Sequence, residues 1–332
     1  LEPYPITCAE ERPVETVPAI ERWSENYAFV GYDYDQRIGF SAYAGRWVKR
    51  PDLWREQFYM CLPDGSSLVH IAIGPAVDRQ VAGSSALRLI CEEAGGRWRI
   101  KFDGAMRHET SSSLLAEPVV ETEPHPVSFS ATLDHQLPVW MMPSSDNESY
   151  GKFHYEQMGH CTARLDFAEK HYEFSGPSYR DHSRGPRHLG GFDGHVWLQV
   201  HLKDAAPVSI YQAWARDDGK LVQILDAGVS FHPDRLGKAA LLSDNRLQTL
   251  DALADPIPLI LEADGRVHRL TARAIAGQFA SLNDDFDFFY GFHRGRADIL
   301  ATEQPLLLEG EDGIATGYLQ RSLRIPRDSL KV

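Results

Sequence analysis

The 332-residue chain lacks most of the signatures by which an enzyme announces a cofactor. It contains no G-x-G-x-x-G run and no G-x-x-x-x-G-K-[ST] run, so neither a dinucleotide fold nor a phosphate loop is indicated. It has no G-x-S-x-G nucleophile elbow. Its four cysteines, Cys8, Cys61, Cys91 and Cys161, lie far apart and form no C-x-x-C pair. That spacing argues against a zinc knuckle, a redox dithiol or a disulfide framework, and it fits a reducing cytoplasm. No run of about 18 apolar residues occurs, so no membrane span is expected. The opening Leu1-Glu2-Pro3-Tyr4-Pro5 is neither basic nor apolar, unlike a signal peptide. Basic charge is scarce too: 34 Lys and Arg face 47 Asp and Glu, a net charge of −13. Such a surface repels phosphate backbones and anionic headgroups, which excludes nucleic acid and favours a neutral or apolar small molecule. Solubility alone also accounts for the charge.

Helical periodicity is equally sparse. Three short stretches qualify: Pro51 to Glu56, His232 to Gly237 and Arg246 to Ala254. Period-2 alternation dominates instead, in Ser66 to Gly74, Arg97 to Phe102, Val127 to Leu133, His160 to Phe167, Gly194 to Leu202, Val208 to Arg216, Arg266 to Ile275 and Gly317 to Ile325. Turn signals separate them, among them Pro63-Asp64-Gly65, Ala94-Gly95-Gly96, Asp217-Asp218-Gly219 and Ala263-Asp264-Gly265. Strands at this spacing predict an all-β protein of antiparallel barrels or sandwiches. Phe153 to Gly159 and Gly317 to Leu323 each put Tyr two residues before Gln near the end of a half. This correspondence suggests two domains, 1–170 and 171–332.

Chemistry concentrates between Tyr172 and His201. Asp181, His182, His188, Asp193, His195 and His201 occur there with Arg180, Arg184 and Arg187. The Gly176-Pro177 and Gly185-Pro186 pairs bend the chain, which would set Asp181-His182 at the mouth or wall of a barrel. Two readings compete for Asp181: a catalytic acid, or a structural ion pair or turn cap. In the next strand, alternation puts His195, Trp197, Gln199 and His201 on one face and Val196, Leu198, Val200 and Leu202 on the other. The first face suits a ligand wall and the second a core. His195 and His201 lie roughly 20 Å apart by strand rise, too far to share a metal ion without a bend. No metal-ligand spacing is present, so no metal and no cofactor are expected. In Asn283 to His293 the calcium-loop pattern fails. That run reads either as a solvated loop before an aromatic strand or as the source of Tyr290 or His293 on the second barrel's cavity wall.

The run Tyr179-Arg180-Asp181-His182-Ser183-Arg184-Gly185, followed by a Trp-bearing strand, resembles the carotenoid 1,2-hydratase (hydroxyneurosporene synthase) group. That group belongs to a wider set of tandem lipocalin-like proteins that includes AttH-type proteins, kievitone-hydratase-like enzymes and fungal cyclases. Its hallmark is Asp-His-Asn/Ser/Thr-x-Gly at the junction of two barrels, often with Trp before the Gly. Here Arg184 stands where Trp is usual. Thr316 to Arg321 looks like the group's closing strand, and Glu25 to Phe29 with Ile38 to Phe40 looks like its first strand pair. The resemblance implies two consecutive lipocalin-like antiparallel β-barrels with few short helices.

It also implies a cofactor-independent lyase or isomerase, of hydratase, dehydratase or cyclase type, acting on a hydrophobic terpenoid-, steroid- or aromatic-like molecule. A carboxyl shielded from water holds its proton near neutrality, so Asp181 is the expected acid, with His182 as partner or base. Tyr155, Glu156, Arg184, His195, Tyr211 and Tyr290 are the expected substrate-side groups. Trp197 and Trp214 would stabilise developing positive charge through their π faces. The Arg184 departure favours an oxygenated or anionic ligand over a bare hydrocarbon. The alternative is a non-catalytic carrier of a hydrophobic ligand, with Asp181-His182 as a structural junction. A homo-oligomer is compatible with either.

Overall fold

The computed structural model describes residues 1–110, 122–143, 153–189, 192–248, 256–290, 298–311 and 313–325. It is all-β. The first unit contains β1 (Trp23–Asp33), β2 (Ile38–Trp47), β3 (Arg50–Cys61), β4 (Ser67–Pro75), β5 (Val81–Gly83), β6 (Leu87–Glu93), β7 (Arg97–Glu109), β8 (Pro124–Asp134), β9 (Trp140–Met141), β10 (Phe153–Phe167) and β11 (Lys170–Pro186). The second contains β12 (Phe192–His201), β13 (Val208–Asp217), β14 (Lys220–Phe231), β15 (Leu236–Leu241), β16 (Ile257–Ala263), β17 (Arg266–Ala274), β18 (Gln278–Leu282), β19 (Phe288–Tyr290), β20 (Ile299–Gly310) and β21 (Gly313–Arg324).

Each unit closes into an eight-stranded antiparallel barrel. In the first, the strand order β4-β3-β2-β1-β11-β10-β8-β7 returns to β4. That closing ladder is short, pairing Ser67, Leu68 and Val69 with Glu109, His108 and Arg107. In the second, β17-β16-β15-β14-β13-β12-β21-β20 returns to β17. These are the tandem lipocalin-like barrels that the resemblance implies.

Alternation explains both cores. In β10, Cys161, Ala163 and Leu165 point inward while Thr162 and Arg164 face solvent. In β12, Val196, Leu198 and Val200 are fully buried in the second core, as the pattern predicts. The first lumen is filled by Trp54, Trp98, Phe29, Phe58, Phe102 and Phe129 with their neighbours. In β1 and β12 the outward face is also largely buried.

Position 170 opens β11, at the tight turn joining it to β10, and the first compact unit runs on to Arg187. The helix expectations shift. The helix expected over Pro51 to Glu56 is part of β3, where Trp54 and Glu56 alternate with Arg55 across the sheet. His232 to Gly237 is a turn leading into β15. Of Arg246 to Ala254, the described part, 246–248, is not helical, and the rest lies outside the described residues. Among the described residues the α-helix is α1 (Cys8–Glu11), capped by Thr7 and Glu10 in a capping box.

Candidate functional site

Asp181 and His182 lie in the middle of β11. Successive residues of a strand point to opposite faces, so the two side chains cannot share a pocket. His182 faces the lumen with Arg180 and Arg184, while Asp181 faces outward. The expectation that His182 partners Asp181 is therefore not met, and each residue has its own neighbourhood.

The inward set forms a continuous buried network at one end of the first barrel. Glu11 of α1 pairs with Arg180, and both side chains are fully buried. Trp98 Nε1 donates to the same carboxylate at 2.8 Å. Arg180 also donates to Tyr155 OH at 2.9 Å and to Gln157 Oε1 at 2.6 Å. Tyr155 OH lies 3.2 Å from His182 Nδ1, and His182 Nε2 lies 3.2 Å from Glu25 Oε1. The His182 ring stacks on Tyr27 at 3.9 Å. Arg184 donates to Glu25 Oε1 at 2.6 Å and to the backbone oxygen of Arg12. Burial pushes the Glu25 carboxyl up, but His182 and Arg184 more than offset it and hold it at about 2. Burial drives His182 down to about 4, against the pull of Glu25, so the ring is neutral at pH 7. Neutral His182 then donates from Nε2 to Glu25 and accepts at Nδ1 from Tyr155. Tyr155, His182 and Arg184, expected at a substrate, thus brace the N-terminal segment across the barrel end.

The outward set is different. Asp181 pairs in register with Glu156 on β10 and with Ala28 on β1, and Ala28 pairs with Tyr43 on β2. Glu156, Asp181, Ala28 and Tyr43 therefore form one row across four strands. The Asp181 side chain is 19% exposed, and His154 Nε2 stands 3.9 Å from it, beyond hydrogen-bond reach. Burial raises the Asp181 carboxyl to about 7, although the charges of Arg187 and Arg180 pull it down. Burial also holds His154 neutral, at about 3, so it supplies no cation to strip that proton. A carboxyl that keeps its proton at neutral pH beside an accessible position can act as a general acid.

The second barrel carries its own polar face. His195 Nε2 lies 2.8 Å from Gln320 Oε1, and Nδ1 lies 2.6 Å from Ser322 Oγ. Gln320 donates to Glu303 at 2.9 Å. Tyr211 stacks on His195 at 5.5 Å, and Trp197 is buried on the same face of β12. Trp214 is a core residue instead, set inward past a bulge, with the Arg246 guanidinium 5.6 Å over its ring. Its edge lines a cleft of about 260 Å³ with Asp193, Arg216 and Arg246. Tyr290 closes β19, and its side chain and His293 lie outside the described residues. Among the described residues, no group of three His, Cys, Asp or Glu could hold a metal ion. No helix among them is long and apolar enough to cross a membrane.

Sequence reasoning missed Glu11, Glu25, His154 and Tyr43. Two signals were available. Thr7-x-x-Glu10 is a capping box, and Glu25, Tyr27 and Phe29 alternate with Asn26 and Ala28.

Solved structures share the fold at low identity. An AttH-type protein from Nitrosomonas europaea matches with a TM-score of 0.56 at 12% identity, over 91% of this chain and 92% of that one. CghA matches with a TM-score of 0.58 at 12% identity, over 92% and 89%. Kievitone hydratase from Nectria haematococca matches with a TM-score of 0.49 at 10% identity, over 92% and 90%. No curated protein matches the chain in sequence. A family model spans residues 9–297, most of the two barrels, and the chain belongs to that family, the domain of unknown function DUF7064.

Proposed function

We propose that the chain is a cofactor-independent lyase or isomerase, of hydratase, dehydratase or cyclase type, with Asp181 as its general acid. The observation that carries this reading is the Asp181 carboxyl, raised to about 7 by burial and open to the outer face of β11. Its proton would go to an alkene carbon or to a departing hydroxyl on a hydrophobic molecule lying over Ala28. Glu156, the ladder neighbour of Asp181 on β10, would take the complementary proton. Neutral His154 nearby brings no positive charge that would discharge the acid. A CghA structure carries Sch210972, which supports a ligand-holding role for this architecture. The filled lumens favour the outer face over a barrel interior as the place of binding.

The test has two arms. Purified protein is incubated with hydrophobic alkenes, tertiary alcohols and enones, and the products are read by mass spectrometry. Gain or loss of water, or isomerisation, in the wild type and its loss in Asp181→Asn is the expected result. The usual scale for a lost general acid is about a hundredfold. Compounds recovered unchanged after long incubation would make the protein a carrier. In the second arm, carbon-13 labelled aspartate is titrated by NMR. A midpoint near 4 for Asp181 would remove it from the role.

A further inference from the structure

An arginine faces the lumen of the second barrel. Alternation along β21 puts Arg321 on the same side as Ala315 and Leu319 of the core. Register sets it across from Thr302 of β20 and Val196 of β12. Arg321 is 3% exposed, and its Nη2 donates to Gln304 Oε1 at 2.9 Å. Its buried Nε and the buried Thr302 Oγ1 find no hydrogen-bond partner among the described residues. Nor does any carboxylate among them pair with Arg321. The acidic groups nearby are engaged elsewhere: Asp193 by Arg216, Asp244 by Arg246, Asp284 by Arg324 and Asp226 by Gln212.

The first barrel shows what such an arginine requires. β11 lies between β1 and β10 as β21 lies between β12 and β20. Each carries a buried inward arginine that donates to a glutamine of the adjoining strand, Arg180 to Gln157 and Arg321 to Gln304. Arg180 also has the Glu11 carboxylate, delivered by α1. Burial lowers the Arg321 guanidinium to about 10, and no anion offsets it. At Arg180, Tyr155 and Glu11 more than offset the same burial. Arg321 is thus a cation at neutral pH that lacks the counter-charge its counterpart has. A buried guanidinium is stable only when an anion and hydrogen bonds replace its water.

The cleft of about 260 Å³ beside Trp214 lies one row further out. Trp214, Gly194 and Leu323 pair in register, and all three line it. Gln212, Val196 and Arg321 form the row beneath, two residues or about 7 Å along the strands. Gly194 puts no side chain over Val196, and Leu221 and Leu247 extend the apolar wall. The volume lies between the roughly 150 Å³ that takes up benzene and the roughly 300 Å³ where pockets for drug-sized ligands begin. We infer that the mouth of the second barrel binds a small carboxylic acid with one ring. The ring sits in the cleft against Trp214 and Leu323. A short arm passes Gly194, and the carboxylate meets Arg321 and Thr302 Oγ1, taking for Arg321 the part that Glu11 takes for Arg180. The site is built from the second unit alone and does not depend on the role of Asp181.

The probes are 3-phenylpropanoate and its uncharged amide, 3-phenylpropanamide, with binding to the full chain followed by isothermal titration calorimetry at pH 7. The wild type binds the acid about tenfold or more tighter, the scale of one hydrogen bond to a charged group. Arg321→Met removes that preference and binds the amide as the wild type does. An unchanged preference in Arg321→Met overturns the inference, as does a wild type that shows none. Where Arg321→Met fails to fold or binds neither probe, Thr302→Asp decides. Its carboxylate, directly across the ladder, gives Arg321 an internal partner and removes the preference for the acid. A preference kept in Thr302→Asp overturns the inference.

Discussion

The Glu11 carboxylate and the Arg180 guanidinium, 169 residues apart in the chain, pair with no solvent exposure of either side chain. Trp98, Tyr155 and Gln157 complete their hydrogen bonds. Removing one partner leaves a buried charge without its counterpart, which costs about 3–5 kcal/mol. Urea denaturation of Glu11→Gln and of Arg180→Met is expected to show a loss on that scale. The double variant should cost much less than the two losses added together. Single losses below about 1 kcal/mol would remove the pair from any structural role.

Acid should unfold the first barrel in two overlapping steps. His182 has a folded value of about 4, below its ordinary 6.5, so its contribution is complete above 6.5 and falls as the pH drops towards 4. Glu25 has a folded value of about 2, below its ordinary 4.5, so its contribution is complete above 4.5 and falls as the pH drops towards 2. Melting temperatures measured from pH 7 to pH 2 should fall throughout. In His182→Gln the fall between 6.5 and 4 should be smaller, and an unchanged profile would contradict the buried neutral imidazole.

Asp181 acts with the opposite sign. Its carboxyl is raised from 3.8 to about 7, so it favours the folded state at low pH and loses that effect as the pH rises through this window. At about 1.4 kcal/mol per pH unit, ionisation of the folded protein costs at most about 4–5 kcal/mol. Asp181→Asn should therefore be more stable than the wild type at pH 8 and nearly equal to it at pH 4. Chemical denaturation at the two pH values decides this, and equal effects at both would show an ordinary surface carboxylate.

Arg187 is the larger of the two charges that lower the Asp181 carboxyl. Arg187→Met should move the Asp181 midpoint above 7 in the aspartate NMR titration. His182→Gln, on the opposite face of β11, should move it far less. A larger movement in His182→Gln than in Arg187→Met would show that the two faces are electrostatically joined.

The barrels were legible because their strands alternate. Val196, Leu198 and Val200 against His195, Trp197 and Gln199 gave the two faces of β12 from residue types alone. The β3 helix expectation failed because Pro51 to Glu56 is too short for periodicity to decide, and pairing with β2 settled it. The site was half legible. Asp181 stood out by composition, but its companions come from other strands: Glu156 on β10, Ala28 on β1 and Tyr43 on β2. Ladder register, which no local pattern encodes, brings them together. Pairing Asp181 with His182 overlooked the two-residue repeat of a strand. Arg184 looked like a ligand-selecting change, yet its guanidinium is engaged by Glu25 and the Arg12 backbone.

The position of Arg180 in the chain also orders assembly. Glu11 is synthesised well before Arg180, which sits on β11, the last strand of the first barrel, pairing with both β1 and β10. Until that strand exists, β1 and β10 each keep an open edge and a buried-type carboxylate waits without its cation. Contacts of such long sequence separation form slowly, and open strand edges invite aggregation meanwhile. The ribosome must therefore release most of the first barrel before any of it can close, which makes the nascent chain up to Arg187 the interval in which chaperone protection counts most.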